Sequence, residues 1–300
     1  MKNFILLLSL FSFAQTSLAK LNVVTTETDL KAIVDEVGKD FVKTESIGKG
    51  TQDPHYVEAK PSFMVKVHKA DLIVAVGLDL EIGWLPSILR GARNPKVLKG
   101  QKGYLEVGPL LDPLEVPSGK VSRAEGDVHP YGNPHFWLDP LRAGKSATII
   151  ADRLSELDPT HKESFQANAK NFLTRMTQKT KEWEGRLSKT GVKSVVTYHK
   201  TLTYFLSRFQ IKNPVILEPK PGLPPTSAHI MKVIQEIKSQ KIPLILVENF
   251  FDPSITKKIL HDVPNVKTEE VAVSVGGAQG INSLDDLYEQ LVTAIEKGGQ

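Results

Sequence analysis

Apolar positions along this chain fall into short runs separated by helical stretches. Leu21-Asn22-Val23-Val24-Thr25-Thr26 reads as a buried strand, and apolar residues from Thr28 to Gly38 recur at helical spacing before a second β-branched segment around Ile47. Asp71 to Gly77, Lys193 to Tyr198 and Pro243 to Glu248 are further apolar runs with turn residues nearby. Strands buried on both faces carry such uninterrupted runs, because helices cover each side of a parallel sheet. The pattern predicts an α/β fold of two lobes, each a mostly parallel sheet flanked by helices.

Between the two sets of strands, a polar stretch from about Asp158 to Lys189 places Phe165, Phe172, Leu173, Met176, Trp183 and Leu187 near helical spacing, with no proline or glycine before Gly185. A helix of about 28 residues would be about 42 Å long, enough to cross the molecule. The prediction is one long rigid helix over 158–190 joining an N-terminal lobe at 20–157 to a C-terminal lobe at 191–300. Proline and glycine gather at Glu218 to Pro225 as a stiff loop, followed by Thr226-Ser227 as caps of a helix. Gly276-Gly277-Ala278-Gln279-Gly280 has neither the Lys-Ser/Thr of a phosphate-binding loop nor the G-x-G-x-x-G order, which argues against nucleotide binding.

The first nineteen residues change the cellular picture. Met1-Lys2-Asn3, the apolar run from Phe4 to Phe13 and Ser17-Leu18-Ala19 have the layout of a cleavable secretory signal, with the mature chain starting near Lys20. The run breaks at Gln15 and Thr16, short of the roughly 20 apolar residues of a spanning helix. With no cysteine to carry a lipid or a disulfide, a soluble periplasmic monomer held together by burial alone is expected. The formal charge of +4 falls to +3 when Lys2 leaves, and basic residues are interleaved with acidic ones, which excludes a phosphate-tracking surface for nucleic acid.

Ligands of open α/β sheets bind beyond the carboxyl ends of the strands, so histidines that follow strands are the informative ones. His55 lies in the loop after the segment around Ile47, His199 directly follows the strand ending at Tyr198, and His135 sits in a proline-stiffened stretch, Gly132 to Pro140. Glu248 closes its own strand, a costly place for a carboxylate unless it is paired or bound to a metal. Neutral imidazoles and one carboxylate form a set that Zn²⁺ accepts tetrahedrally at roughly 2.0 to 2.2 Å. Gaps of about fifty to eighty residues match no short-range ligand pattern.

Flanking residues carry more. Asp53-Pro54-His55-x-x-Glu58, Asn133-Pro134-His135-x-Trp137-Leu138-Asp139-Pro140, Thr197-Tyr198-His199 followed by Tyr204-Phe205, and Pro221-Gly222-x-Pro224-Pro225 resemble the zinc and manganese substrate-binding proteins of bacterial ABC importers. The resemblance covers nearly the whole mature chain. It implies an extracytoplasmic protein that is not an enzyme, captures a divalent metal between its lobes and delivers it to an inner-membrane ABC permease. His55 and His135 would be ligands from the first lobe and His199 from the second. Many of these relatives carry a final aspartate before a Pro-Leu-Gly turn, but Ala272 to Gly276 has no carboxylate at that point. Glu248 is the expected substitute, with Glu269, Glu270, His129 or water as alternatives. Glu125 to His129 stands where some zinc members have a long histidine-rich loop. Glu58 and Asp139 are candidates to hold the outer nitrogens of the ligand histidines. Nitrogen-rich ligation favours Zn²⁺, a further carboxylate would favour Mn²⁺, and Fe²⁺ ranks behind both. Two other classes fit three histidines: a zinc hydrolase with an open metal position, against which stands the lack of a His-Glu-x-x-His helix, and a metal-storing surface adhesin.

Overall fold

The computed structural model describes residues 20–119, 129–220 and 222–299; the leader read at 1–19, most of the segment before His129 and Pro221 lie outside them. The N-terminal half alternates β1 (Leu21–Thr25), α1 (Thr28–Gly38), β2 (Val42–Ser46), α2 (Pro61–His68), β3 (Leu72–Ala75), α3 (Leu85–Ala92) and β4 (Tyr104–Glu106), then leads into α4 (Pro140–Leu157). After the long α5 (Lys162–Leu187) come β5 (Val196–Thr197), α6 (Thr203–Arg208), α7 (Ser227–Gln240), β6 (Leu244–Glu248), α8 (Ser254–Asp262), β7 (Lys267–Val271) and α9 (Leu284–Gly298). The strands form two sheets, ordered β2-β1-β3-β4 and β5-β6-β7, with every described pairing parallel. Among the described residues no helix is long and apolar enough to cross a membrane.

Successive strand residues point to opposite faces, and the apolar runs divide accordingly. Leu72 and Val74 enter a central core while Ile73 and Ala75 face an outer one with Val67, Leu85 and Ile88 of α2 and α3. In the second sheet Leu244 and Leu246 join the same central core, and Ile245 and Val247 pack outward on Val233 and Ile237 of α7. The inner faces of both sheets therefore share one continuous apolar core, closed by α1, α4, α5 and α9. The run from Lys193 to Tyr198 yields only a two-residue strand. Its neighbours are bonded instead to an irregular segment, through Val195 N to Lys212 O at 2.9 Å and Leu217 N to Thr197 O at 2.9 Å.

α5 is the helix predicted across 158–190, trimmed at both ends. Asp158 accepts from the Thr160 amide and starts a 3-10 turn, Pro159–His161, ahead of it. Its 26 residues span about 39 Å. Phe165, Phe172, Met176 and Trp183 bury one face. On the other, Arg175 reaches Glu36 of α1 at 2.7 Å and Asp285 of α9 at 3.4 Å, while Arg186 pairs with both Glu289 and Glu296. The halves also meet directly. Trp137 Nε1 donates to Val273 O at 2.8 Å, and Tyr288 Oη donates to Trp137 O at 2.5 Å. Gly50 comes so close to the turn at Gly277 that a Cβ there would collide with the Val275 carbonyl, and Asn249 Nδ2 donates to Gly50 O and Gly277 O at 3.3 and 2.9 Å. The glycine-rich stretch at 276–280 thus includes a seam between backbones.

Asp139, one of the acids placed beside the ligand histidines by sequence, has a structural post. Its Oδ1 caps α4 through the Leu141 amide at 2.9 Å, and its fully buried carboxylate receives Arg142 at 2.9 Å and Arg208 at 2.9 and 2.7 Å. Removing one side of a buried ion pair leaves charge without compensation and costs about 3–5 kcal/mol. Asp139→Ala should therefore lower the unfolding free energy by about that amount, read as an earlier denaturant midpoint with an unchanged slope.

Glu81, also buried, accepts from Thr26 Oγ1 and Val76 N at 2.7 Å each and from Gly77 N at 3.0 Å. Burial pushes its carboxyl up to about 7 despite those bonds. A group raised in the folded state stabilises fully below its unfolded value and loses that contribution as pH rises through the folded one. In chelator-treated protein, raising the pH from 4.5 to 7 should shift the stability gap in favour of Glu81→Gln by on the order of 3 kcal/mol. Denaturation series at several pH values would measure this, and a pH-independent gap would refute it.

Candidate metal centre

Two of the candidate histidines stand past the carboxyl ends of parallel strands, and the third lies at the entry to α4. His55 is in the connection leaving β2, His199 follows β5 by two residues, and His135 precedes the 3-10 turn Phe136–Leu138 that leads into α4. The fold brings all three together. One nitrogen from each lies within 4.8 Å of the other two, and the ring centroids are 5.5 to 5.8 Å apart. His135 and His199 are buried, and the His55 side chain is only 9 % exposed.

The same local device sets two of the rings. In Asp53-Pro54-His55 the aspartate Oδ1 accepts from the His55 amide at 2.9 Å and from its Nδ1 at 2.7 Å. In Asn133-Pro134-His135 the asparagine Oδ1 does the same, at 3.0 and 2.9 Å. An Asx side chain readily caps the amide two residues on, and the intervening proline pre-sets φ. The amide orientation of Asn133 is fixed by its Nδ2, which donates to Glu115 Oε2 at 2.9 Å and Lys200 O at 3.0 Å. His199 uses a distant partner: its Nδ1 lies 2.5 Å from Glu218 Oε2, while Glu218 Oε1 accepts from the Gly222 amide at 2.5 Å. All three acceptors demand a proton on Nδ1, so every Nε2 offers its lone pair.

Electrostatics favour this state. Burial, and then the neighbouring imidazoles, hold His135 well below the ordinary histidine range, so its ring stays neutral. Burial works against ionised Asp53, but hydrogen bonds from the His55 ring and amide hold its carboxyl below the usual range. Trp137 packs its ring 5.4 Å from His135, edge to face. Tyr204 braces the same loop, donating to Asn133 O at 2.7 Å and accepting from Leu114 N at 2.9 Å. Tyr56, Tyr198, Phe250 and Phe251 line a cavity of about 270 Å³ beside His55 and His199.

Other expected residues fall elsewhere. Glu248 is not among the gathered donors: its Oε1 accepts from the His199 amide at 3.2 Å, and its Oε2 has no hydrogen-bond partner among the described residues. Burial pushes that carboxyl up to about 8. Glu269 and Glu270 lie within β7, opposite Leu246 and Val247, rather than past its end, and Glu269 pairs with Lys297 at 2.7 Å. Glu58 is exposed beside Lys60 and, like Asp139, holds no ligand ring. Those places belong to Asp53, Asn133 and Glu218. The repeated Asx-Pro-His was the available signal for the first two, whereas Glu218 reaches His199 from nineteen residues away. His129 brings its Nε2 to 3.0 Å from that of His55. His68, His161 and His229 bond Ala92 O, Asp158 and Ile216 O, and His261 is exposed.

Three neutral nitrogens with a shared outward lone pair suit a divalent transition metal, and known proteins agree with that chemistry. Residues 23–298 match the family model described as ZnuA, zinc-uptake complex component A, periplasmic. The zinc-binding lipoprotein AdcA of Streptococcus pneumoniae is 30% identical over 253 residues, covering 83% of this chain and 49% of AdcA. The manganese ABC transporter substrate-binding lipoprotein ScaA of Streptococcus gordonii is 28% identical over 256 residues, 84% of this chain and 79% of its own length. A crystal structure of ZnuA superposes with a TM-score of 0.75 at 20% identity, over 94% of this chain and all of that one, which establishes the likeness of fold. With the match running through both sheets and the helix between them, the chain belongs to the family of zinc-uptake complex component A.

Proposed function

We propose that this protein captures a divalent transition metal between its two lobes, taken as 20–157 and 191–300, and hands it to the membrane permease of an ABC importer, with His55, His135 and His199 as ligands. The observation that carries the reading is the convergence of three imidazoles whose Nδ1 atoms are all committed to acceptors of the protein. Tetrahedral zinc with nitrogens at about 2.0–2.1 Å holds them about 3.3 Å apart. Small inward rotations would bring the three to that spacing, so capture needs only a modest closure.

Zn²⁺ is the preferred cargo and Mn²⁺ the alternative. An all-nitrogen set favours zinc, whereas manganese gains from carboxylates. The named relatives include one zinc binder and one manganese transporter component. The protein is a transport component and not an enzyme, so the hydrolase and storage readings fall away with family membership. Its place is extracytoplasmic. Those two relatives are lipoproteins, but this sequence has no cysteine to carry a lipid, which supports a protein free in the periplasm after removal of the leader.

Protein purified without chelators should hold about one metal per chain by elemental analysis, and His135→Ala should lose it. Unchanged metal content in that variant would overturn the assignment. Outer partners of ligating histidines are typically worth about 10- to 100-fold in metal affinity. Asp53→Ala and Glu218→Ala should each weaken zinc by that factor in chelator competition while the fold persists, whereas Glu58→Ala should leave the affinity unaltered.

A further inference from the structure

The geometry points to His129 as the fourth ligand of the captured ion, giving this chain an all-imidazole shell. This inference rests on the reading of His55, His135 and His199 as ligands and adds a donor to it.

Proton placement comes first. His129 Nδ1 lies 3.2 Å from the carbonyl of Leu78, and a carbonyl only accepts, so the hydrogen sits on Nδ1 and Nε2 carries a lone pair. Asp53 forces the same tautomer on His55. The two Nε2 atoms are 3.0 Å apart, so a proton or a metal ion placed between them can be shared by both rings. Neighbouring nitrogens around tetrahedral zinc stand about 3.3 Å apart, close to the observed spacing. The His129 ring is 5.1 Å from that of His55, nearer than any pair within the trio, and 6.3 Å from that of His135. It stands outside the set whose donor atoms all lie within 4.8 Å of one another, so it completes the shell by turning toward the ion as the trio tightens.

The acceptor that holds His129 is itself built in. Gly77, Leu78 and Asp79 are consecutive residues with φ of 78°, 56° and 65°, a left-handed run that side-chain-bearing residues adopt at a cost. Buried Glu81 fixes the entry to this turn through the Val76 and Gly77 amides. The turn aims the Leu78 carbonyl at His129, and His129 aims at His55. The expected carboxylate donor, Glu248, has Oε1 on the His199 amide and is not among the gathered donor atoms. A fourth imidazole in place of a carboxylate also favours zinc over manganese, because nitrogen donors suit zinc better.

The test uses the exported form of the whole protein, loaded with Zn²⁺, and compares wild type, His129→Ala and His135→Ala. X-ray absorption should count four imidazoles in wild type and three in His129→Ala. A direct ligand should matter at least as much as an outer partner, so zinc affinity should fall about tenfold or more with the stoichiometry still near one. The ratio of zinc to manganese affinity should fall with it, and added imidazole should restore the fourth nitrogen to the alanine variant. Three imidazoles in wild type, or unaltered affinity and selectivity in His129→Ala, would overturn the inference. If His135→Ala still loses its metal in that event, the three-histidine reading stands without it; if His135→Ala retains its metal, both fail.

Discussion

An imidazole can turn a lone pair toward a cation only while its other nitrogen keeps the proton, and the site is organised around that constraint. Asp53, Asn133 and Glu218 are unrelated in sequence and sit on different loops, yet each does the same thing to one ring: it takes the Nδ1 hydrogen and leaves Nε2 facing the common centre. Neutral rings would otherwise divide between two tautomers, and all but one of the combinations open to three rings would point a hydrogen toward the common centre. Fixing the tautomer also fixes ring rotation, because each acceptor lies in the ring plane.

The rest of the fold keeps these loops in register. His55 and His199 follow strands β2 and β5, and threonines at strand ends fasten the residues just beyond them: Thr197 Oγ1 donates to His199 O at 2.6 Å, just as Thr25 Oγ1 donates to Glu27 O at 2.8 Å in the other sheet. Below them, one apolar core runs beneath both sheets, and α5 is pinned to each half by its aromatic face and by Arg175 between Glu36 and Asp285. A large hinge opening would tear this core. The scaffold instead favours adjustments of rings and loops of the size that gathering an ion demands.

Much of this was legible in the sequence, for physical reasons. Leu72 to Ala75 and Leu244 to Val247 had to look apolar throughout because each strand divides its side chains between two cores. The long helix announced itself by an unbroken apolar stripe. His55 and His199 could be chosen by their position after strands, and all three histidines by flanking motifs, whereas their spacing carried nothing, since the fold and not the chain makes them neighbours. Proximity along the chain misled for Glu58 and Asp139: one points to water and the other neutralises two arginines and caps a helix. Glu248 was rightly seen as a buried acid at a strand end, but the nearest claimant on its oxygen is a backbone amide. Glu218 was hidden because its contact depends on how the proline-rich loop folds back.

The two Asx-Pro-His turns differ in one respect: Asp53 bears a charge and Asn133 does not. Together with the Glu218 carboxylate behind His199, the layer behind the rings supplies two negative charges on two of its three sides. A doubly positive ion held by these uncharged rings would thereby be balanced by groups that do not touch it, whereas a singly charged ion would leave a surplus of negative charge in a poorly hydrated space. On the proposed reading, preference for a divalent over a monovalent ion would come from the surroundings of the histidines, independently of which soft or hard donors complete the sphere.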